Sequence, residues 1–313
     1  MTDVGARFSL CQIAWRISCI GSTIMSRDGS VETWSRVIVS EADVQALSAS
    51  AIGSCFSGFP YCVRSPASRG EYGKPPAMLL CLGEGKIVLI NDDDPASAPV
   101  VMPLESISGL ESGRNLLLSW LALYHRGSRF VVWYNSVGYE LYEPFINAFR
   151  EVHDNAEGSG VYTEQSPLEP LFKLDYKYYT RARTVLAGRI PSIQWYHPAV
   201  ELKRRLFSRR IVSSYLLACT EAMLYVFSEE SIVRPRKTAG YSMVVRYIPR
   251  NAGLSFAAHG GETDYALREL RAAGQAITSM PVATAEQQGF ERFVAAMEAS
   301  GPGHPAPRPP VNR

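Results

Sequence analysis

The chain has 313 residues, 46% hydrophobic and 20% charged, with a formal net charge of +2. That length suits two ordinary domains, and the apolar content excludes a largely disordered chain because a core can offset its entropy. The near-neutral total also excludes a strongly polycationic or polyanionic protein.

Residues 1–39 have no clean period and are expected to be a weakly ordered extension. Within them, residues 8–25 are the sole candidate targeting segment. Gln12 and Arg16 interrupt the run, only Arg7 precedes it, and a central charge opposes insertion. The expectation is a soluble cytoplasmic protein, with peripheral contact at the inner face of a membrane as the alternative. The six cysteines, Cys11, Cys19, Cys55, Cys62, Cys81 and Cys219, include no CxxC pair, so a zinc ribbon is excluded. Cys81 and Cys219 lie in apolar runs and read as small core residues. A reducing compartment fits best, and Cys55 with Cys62 is the pair that an oxidising one would bridge.

Ser40 and Asp43 have the form of a capping box, and Val44, Leu47 and Ile52 follow as an apolar stripe. A short helix over 41–51 is predicted. Residues 56–76 are broken by Gly and Pro and read as loop or edge strand. An internal repeat comes next: AMLLCLGEGKIVLINDD at 77–93 aligns with SYLLACTEAMLYVFSEE at 214–230. Each reads as a hairpin of β-branched and aromatic runs around a polar turn.

Further strands are predicted at 100–102, 107–110, 116–124 and 130–134, and in the second copy at 243–248, 254–258, 265–270 and 276–280. A helix closes each copy. Tyr142, Phe145, Ile146 and Phe149 share a spacing with Phe290, Phe293, Val294 and Met297, one apolar face at helical period. The offset between copies grows from 137 to 148 residues. The added residues fit best in loops at 231–241 or 258–264.

The step Pro103-Leu104-Glu105-Ser106-Ile107-Ser108-Gly109-Leu110 and the turn at 217–227 resemble those of bacterial pleckstrin-homology-like (PH- and GRAM-like) domains. The second copy keeps only Pro249 and Leu254 of that step. The resemblance covers about 77–152 and 199–299. It implies a mainly β (α+β) fold of two bent β-barrels or sandwiches, each capped by a C-terminal amphipathic helix, and a binding role. The divisions expected are a first PH-like domain at 40–153, a linker at 154–170, a second domain at 171–299 with a basic leading segment, and a Pro-rich tail at 300–313. The basic motif of phosphoinositide-binding members is not found, so lipid specificity does not carry over.

Enzymatic chemistry has no visible constellation. The five histidines show no metal spacing, there is no nucleophile elbow or P-loop, and His197 among Trp195 and Tyr196 reads as a packed turn residue. Asp92, Asp93 and Asp94 lack the spaced ligands of a calcium loop and read as a solvated turn. No cofactor or metal is expected.

Charge is uneven. Residues 1–170 carry 12 basic and 19 acidic side chains, whereas residues 171–250 carry 15 and 5. Candidate anion- or partner-binding residues are Lys203, Arg204, Arg205, Arg209 and Arg210 in one cluster and Arg234, Arg236 and Lys237 in another. If the two converge they suit an anionic partner; the alternative is a face that balances the acidic N-terminal half by docking on it. The segment 173–183 interleaves Tyr176, Tyr178 and Tyr179 with cations. It reads as a connecting helix or strand, and without an RNP-type pattern nucleic acid is disfavoured. The function expected is a non-catalytic scaffold that binds a protein, the alternative being peripheral recognition of anionic lipid.

Overall fold

The structure, a computed structural model, describes residues 34–67, 75–114, 118–154, 168–204, 208–231, 241–262 and 264–300. Its first hairpin forms where the repeat predicts it. Strands β3 (Met78–Gly83) and β4 (Lys86–Asn91) are joined by Glu84 and Gly85, at φ 49° and 70°. Two successive left-handed residues make the turn whose twist matches the flanking strands.

Before this hairpin come β1 (Arg36–Ile38), a 3₁₀ turn at Glu41–Asp43, helix α1 (Ala46–Cys55) and β2 (Tyr61–Ser65). The Ser40 amide and hydroxyl both donate to Asp43 Oδ2, at 3.0 Å. The cap closes only the 3₁₀ turn, so the helix starts later than predicted. After the hairpin, β5 (Val100–Pro103) completes a five-stranded antiparallel sheet in the order β1-β2-β3-β4-β5. Two expectations need correction. Residues 36–38 are a strand rather than weakly ordered chain, and β2 is interior, between β1 and β3. Pro60 and Pro66 delimit β2 without interrupting it, and its Cys62 and Val63 are fully buried.

A second hairpinned set follows: β6 (Ile107–Arg114), β7 (Leu118–His125) and β8 (Ser128–Asn135), closed by α2 (Glu143–His153). Helices α3 (Glu169–Leu174) and α4 (Tyr176–Leu186) then lead to β9 (Ile193–His197). The connecting-helix reading of 173–183 therefore holds. Asp175 caps α4 by accepting from the amides of Lys177 and Tyr178, and the first of these helices begins inside the expected linker.

The C-terminal half repeats the order of the N-terminal half. A separate hairpin, β10 (Val200–Arg204) and β11 (Ser208–Val212), is followed by β12 (Tyr215–Cys219), β13 (Met223–Ser231) and β14 (Tyr241–Pro249). A three-stranded sheet of β15 (Ser255–Glu262), β16 (Tyr265–Ala272) and β17 (Gln275–Ala283) comes next, and α5 (Gln287–Ala299) closes it. Hydrogen bonds repeat as well. After Pro103 the amide of Leu104 donates to Gly85 O at 2.9 Å, and after Pro249 that of Arg250 donates to Ala222 O at 2.8 Å. Both steps continue into a 3₁₀ turn.

The halves are not separate barrels. Among the described residues no sheet closes on itself, and one seven-stranded sheet runs through both in the order β8-β7-β6-β14-β13-β12-β9. Its seam is the pairing of 110–114 on β6 with 243–247 on β14. The extra length of the second copy makes this possible, since β14 has nine residues where β5 has four. Single alternation then sorts the side chains of the central sheet. Leu121, Leu123, Tyr225, Val245 and Tyr247 face the first sheet and helices α2–α4. Tyr124, Leu217, Leu224, Val226 and Ile248 face the β15–β17 layer and α5. Among the described residues no helix is long and apolar enough to cross a membrane.

Phe145 of α2 is fully buried in the larger core, whereas Leu47 of α1 is exposed. Phe145→Ala should cost about 3–5 kcal/mol in urea unfolding, through lost transfer energy and a cavity. Leu47→Ala should stay within about 0.5 kcal/mol of the parent.

Candidate functional site

The central sheet carries an isolated carboxylate at its seam. Glu111 on β6 stands directly opposite Arg246 on β14 and opposite Ala122 on β7. Trp120 and Tyr124 lie two residues either side of Ala122, on the same face. Their opposite numbers are Gly113 and Gly109, so both rings can lean across β6 toward the carboxylate. The fit is tight at one point: a Cβ on Gly113 would lie 2.0 Å from the Trp120 ring.

Four donors converge on Glu111. Oε1 accepts from Trp120 Nε1 at 2.6 Å and Arg129 Nη2 at 2.7 Å. Oε2 accepts from Tyr124 OH and from Arg246 Nε, both at 2.9 Å. Arg246 also donates through Nη1 to Ser228 Oγ at 3.0 Å. Burial alone would push the Glu111 carboxyl up. The guanidiniums of Arg246 and Arg129, helped by the Trp120 bond, outweigh it and hold the pKa at about 2. Burial first, then the charge of Glu111, pushes the Tyr124 phenol up to about 12. Two cations around one anion leave the cluster with a net positive charge.

Beside this cluster lies a recess of about 440 Å³, lined by Glu111, Trp120, Tyr124, Arg129, Trp133 and Arg246 on the sheet and by residues 275–278 of β17 on the other side. The β15–β17 layer covers the C-terminal half of the central sheet and meets β7 through β17, where Tyr124 OH lies 3.3 Å from Ile277 O. The same face of β7 and β8 carries Trp120 and Trp133, ring centres 5.4 Å apart and tilted. The Arg129 side chain is 42% exposed: one edge is fixed by Glu111 and the rest can meet a ligand. Across the recess, Gln275 Oε1 is buried without a hydrogen-bond partner.

None of these residues was among the sequence candidates. Of those, Lys203 and Arg204 lie on β10 and Arg209 and Arg210 on β11, with Lys203 opposite Arg209 and Leu202 opposite Arg210 in backbone register. The side chains of that hairpin, all of Arg205, and Arg234, Arg236 and Lys237 lie outside the described residues. His197 is a buried strand-end residue, stacked on Tyr215 at 4.8 Å and accepting from the Ala283 amide at 3.1 Å. Asp92 is buried rather than solvated, paired with Arg64 at 2.6 Å and accepting from Ser48 Oγ at 2.8 Å. Among the described residues no group of three His, Cys, Asp or Glu side chains is placed to hold a metal ion.

A comparison with protein-family models finds no match, and neither does a comparison with curated proteins.

Because folding lowers the Glu111 pKa from the ordinary 4.5 to about 2, its contribution, about 3 kcal/mol, is complete above the unfolded value. It is lost as pH falls from near 4.5 toward 2. Glu111→Gln should cost about 3–5 kcal/mol at neutral pH by stranding two cations, and its unfolding free energy should lack that acid-sensitive component.

Proposed function

We propose that this chain is a non-catalytic binding protein built from two pleckstrin-homology-like repeats, and that a protein partner docks in the recess at their seam. The observation that carries the reading is the part-exposed Trp133, packed on the buried Trp120 ring, beside the half-exposed Arg129. Indole and guanidinium groups supply most of the energy where proteins meet, because they bury large area and still make directed bonds. The surplus positive charge selects an acidic group, and the two rings favour an aromatic or aliphatic neighbour beside it. A binding role also agrees with the state of Glu111. Both its oxygens are already engaged by donors, so it is a structural anion rather than a base ready to take a proton.

The test is selection of random peptides on the full chain. Peptides with Asp or Glu next to an aromatic residue should be enriched. Their affinity, read by fluorescence anisotropy, should fall at least about tenfold in Trp133→Ala and in Arg129→Gln, or roughly 1.4 kcal/mol. No enrichment, or binding untouched by both substitutions, overturns the reading.

The β10–β11 hairpin favours a second reading. It follows β9 and precedes β12 in the chain and among the described residues pairs with neither, and its register sets Lys203, Arg204, Arg209 and Arg210 on three adjacent rungs. An anionic lipid surface would gain about 1 kcal/mol per basic residue brought close to it. Cosedimentation with phosphatidylserine–phosphatidylcholine vesicles should then weaken steeply between about 50 and 200 mM salt and vanish when the four residues are changed to Glu. Salt-insensitive or absent binding removes this reading.

A further inference from the structure

The first sheet carries a separate chemistry on its outer side, beneath α1. Cys62 on β2 and Cys81 on β3 are directly opposed in the antiparallel ladder. Both are fully buried, and their Sγ atoms are 3.0 Å apart. Opposed residues of antiparallel strands have Cα atoms about 4.5–5.5 Å apart, inside the range a disulfide accepts. Closing the sulfurs to bonding distance needs an approach of only about 1 Å, which side-chain rotation can supply.

A third thiol lies within the same group. Cys55, the last residue of α1, packs against the cluster containing Cys62 and Cys81 and is only partly buried. Cys55 is therefore the member of the trio that a reagent from solvent can meet first.

We infer that Cys62 and Cys81 are a disulfide-forming pair, oxidised by a low-molecular-weight disulfide that reacts first at Cys55. The Cys55 thiolate attacks the small disulfide, forming a mixed disulfide and releasing one small thiol. Cys81 attacks the Cys55 sulfur and releases the second small thiol. Cys62 then attacks the Cys81 sulfur, forming the Cys62–Cys81 bond and returning Cys55 as a free thiol. Two protein thiols are oxidised by two electrons, and one small disulfide is reduced to two thiols, which carry away the two protons. Contact with Cys62, and then burial, push the Cys81 thiol up, so its thiolate is scarce and the exchange proceeds over minutes to hours. The pairing differs from the Cys55–Cys62 bridge considered for an oxidising compartment, because register sets Cys62 against Cys81.

The test uses the full chain treated with oxidised glutathione, then acid-quenched, alkylated and digested. The expected product is a peptide pair joined through Cys62 and Cys81, lighter by two hydrogens than the reduced pair and separated by dithiothreitol, with Cys55 alkylated. The oxidised protein should melt higher by roughly 5–10 °C, because the bond closes the chain between β2 and β3. Cys55→Ala should give the same product at least about tenfold more slowly. Alkylation of Cys62 and Cys81 after prolonged treatment, or a final bond involving Cys55, overturns the pairing. An unchanged rate in Cys55→Ala overturns the route. Mapping the unmutated protein needs no variant, so a failure of Cys55→Ala to fold leaves the pairing decidable.

Discussion

The pairing of β6 with β14 is the constraint from which the rest of the architecture follows. Taken alone, each half would end in a strand presenting unpaired amides and carbonyls, an invitation to aggregate. Joining them satisfies both ladders and turns two sheets into one. Backbone pairing does not by itself fix which rung meets which, but the Glu111–Arg246 rung does. A slip of β14 by one residue would carry Arg246 to the opposite face, packed on Leu121 and the first sheet, and leave Glu111 without it. Buried ion pairs add little net stability against an apolar replacement, yet they are costly to break or misplace. This rung is thus better understood as a register device than as a net gain over an apolar pair.

The recess follows from the same seam. In each half a helix and a smaller set of strands close over a core, but the central sheet serves the halves from opposite faces. The first sheet and α2 cover one side of β6–β8. The β15–β17 layer covers the other side of β12–β14 and reaches as far as Tyr124 of β7. On the second face of β7 and β8 a small cluster stands apart, with Trp120 and Val244 of β14 buried and Val131 and Trp133 only partly so. Gly113 lets the Trp120 ring lie against β6 and give its Nε1 to Glu111. One side chain therefore serves both the register of the seam and the wall of the recess.

Much of this fold was legible because local patterns coincide with burial. The two hairpins, the proline-led steps and the amphipathic faces of α2 and α5 come from alternation, turn chemistry and helical spacing, and the strands sit close to where those signals fall. Strand β2 was not, since the Gly- and Pro-rich residues around Tyr61–Ser65 mask a run of only five. The site was hidden for a different reason. Glu111 and Arg246 are 135 residues apart and meet only through a long-range ladder that neither segment encodes locally. A signal did exist: Arg246 is the lone charge in the apolar stretch 243–248, and Glu111 stands in a strand whose described neighbours are buried. A charge at a core position is expected to have a partner, even when its identity cannot be read.

The division of charge between the halves takes its meaning from the same ladder. A basic C-terminal block beside an acidic N-terminal one suggested an anionic ligand or complementary docking. Part of the surplus is spent internally: Arg246 pairs with Glu111, and Arg189 with Asp154, each joining a cation of the basic block to an acid of the N-terminal half. Lys177 pairs with Glu229 within the C-terminal half. Arg250 is buried at the C-terminus of α5, donating to Met297 O and Ser300 Oγ and to carbonyls of the β12–β13 turn, where orphan helix carbonyls need donors. Net charge summed over a block counts these residues equally with any that face solvent. It measures how far two halves attract one another as much as what they attract from outside, and only register and burial separate the two.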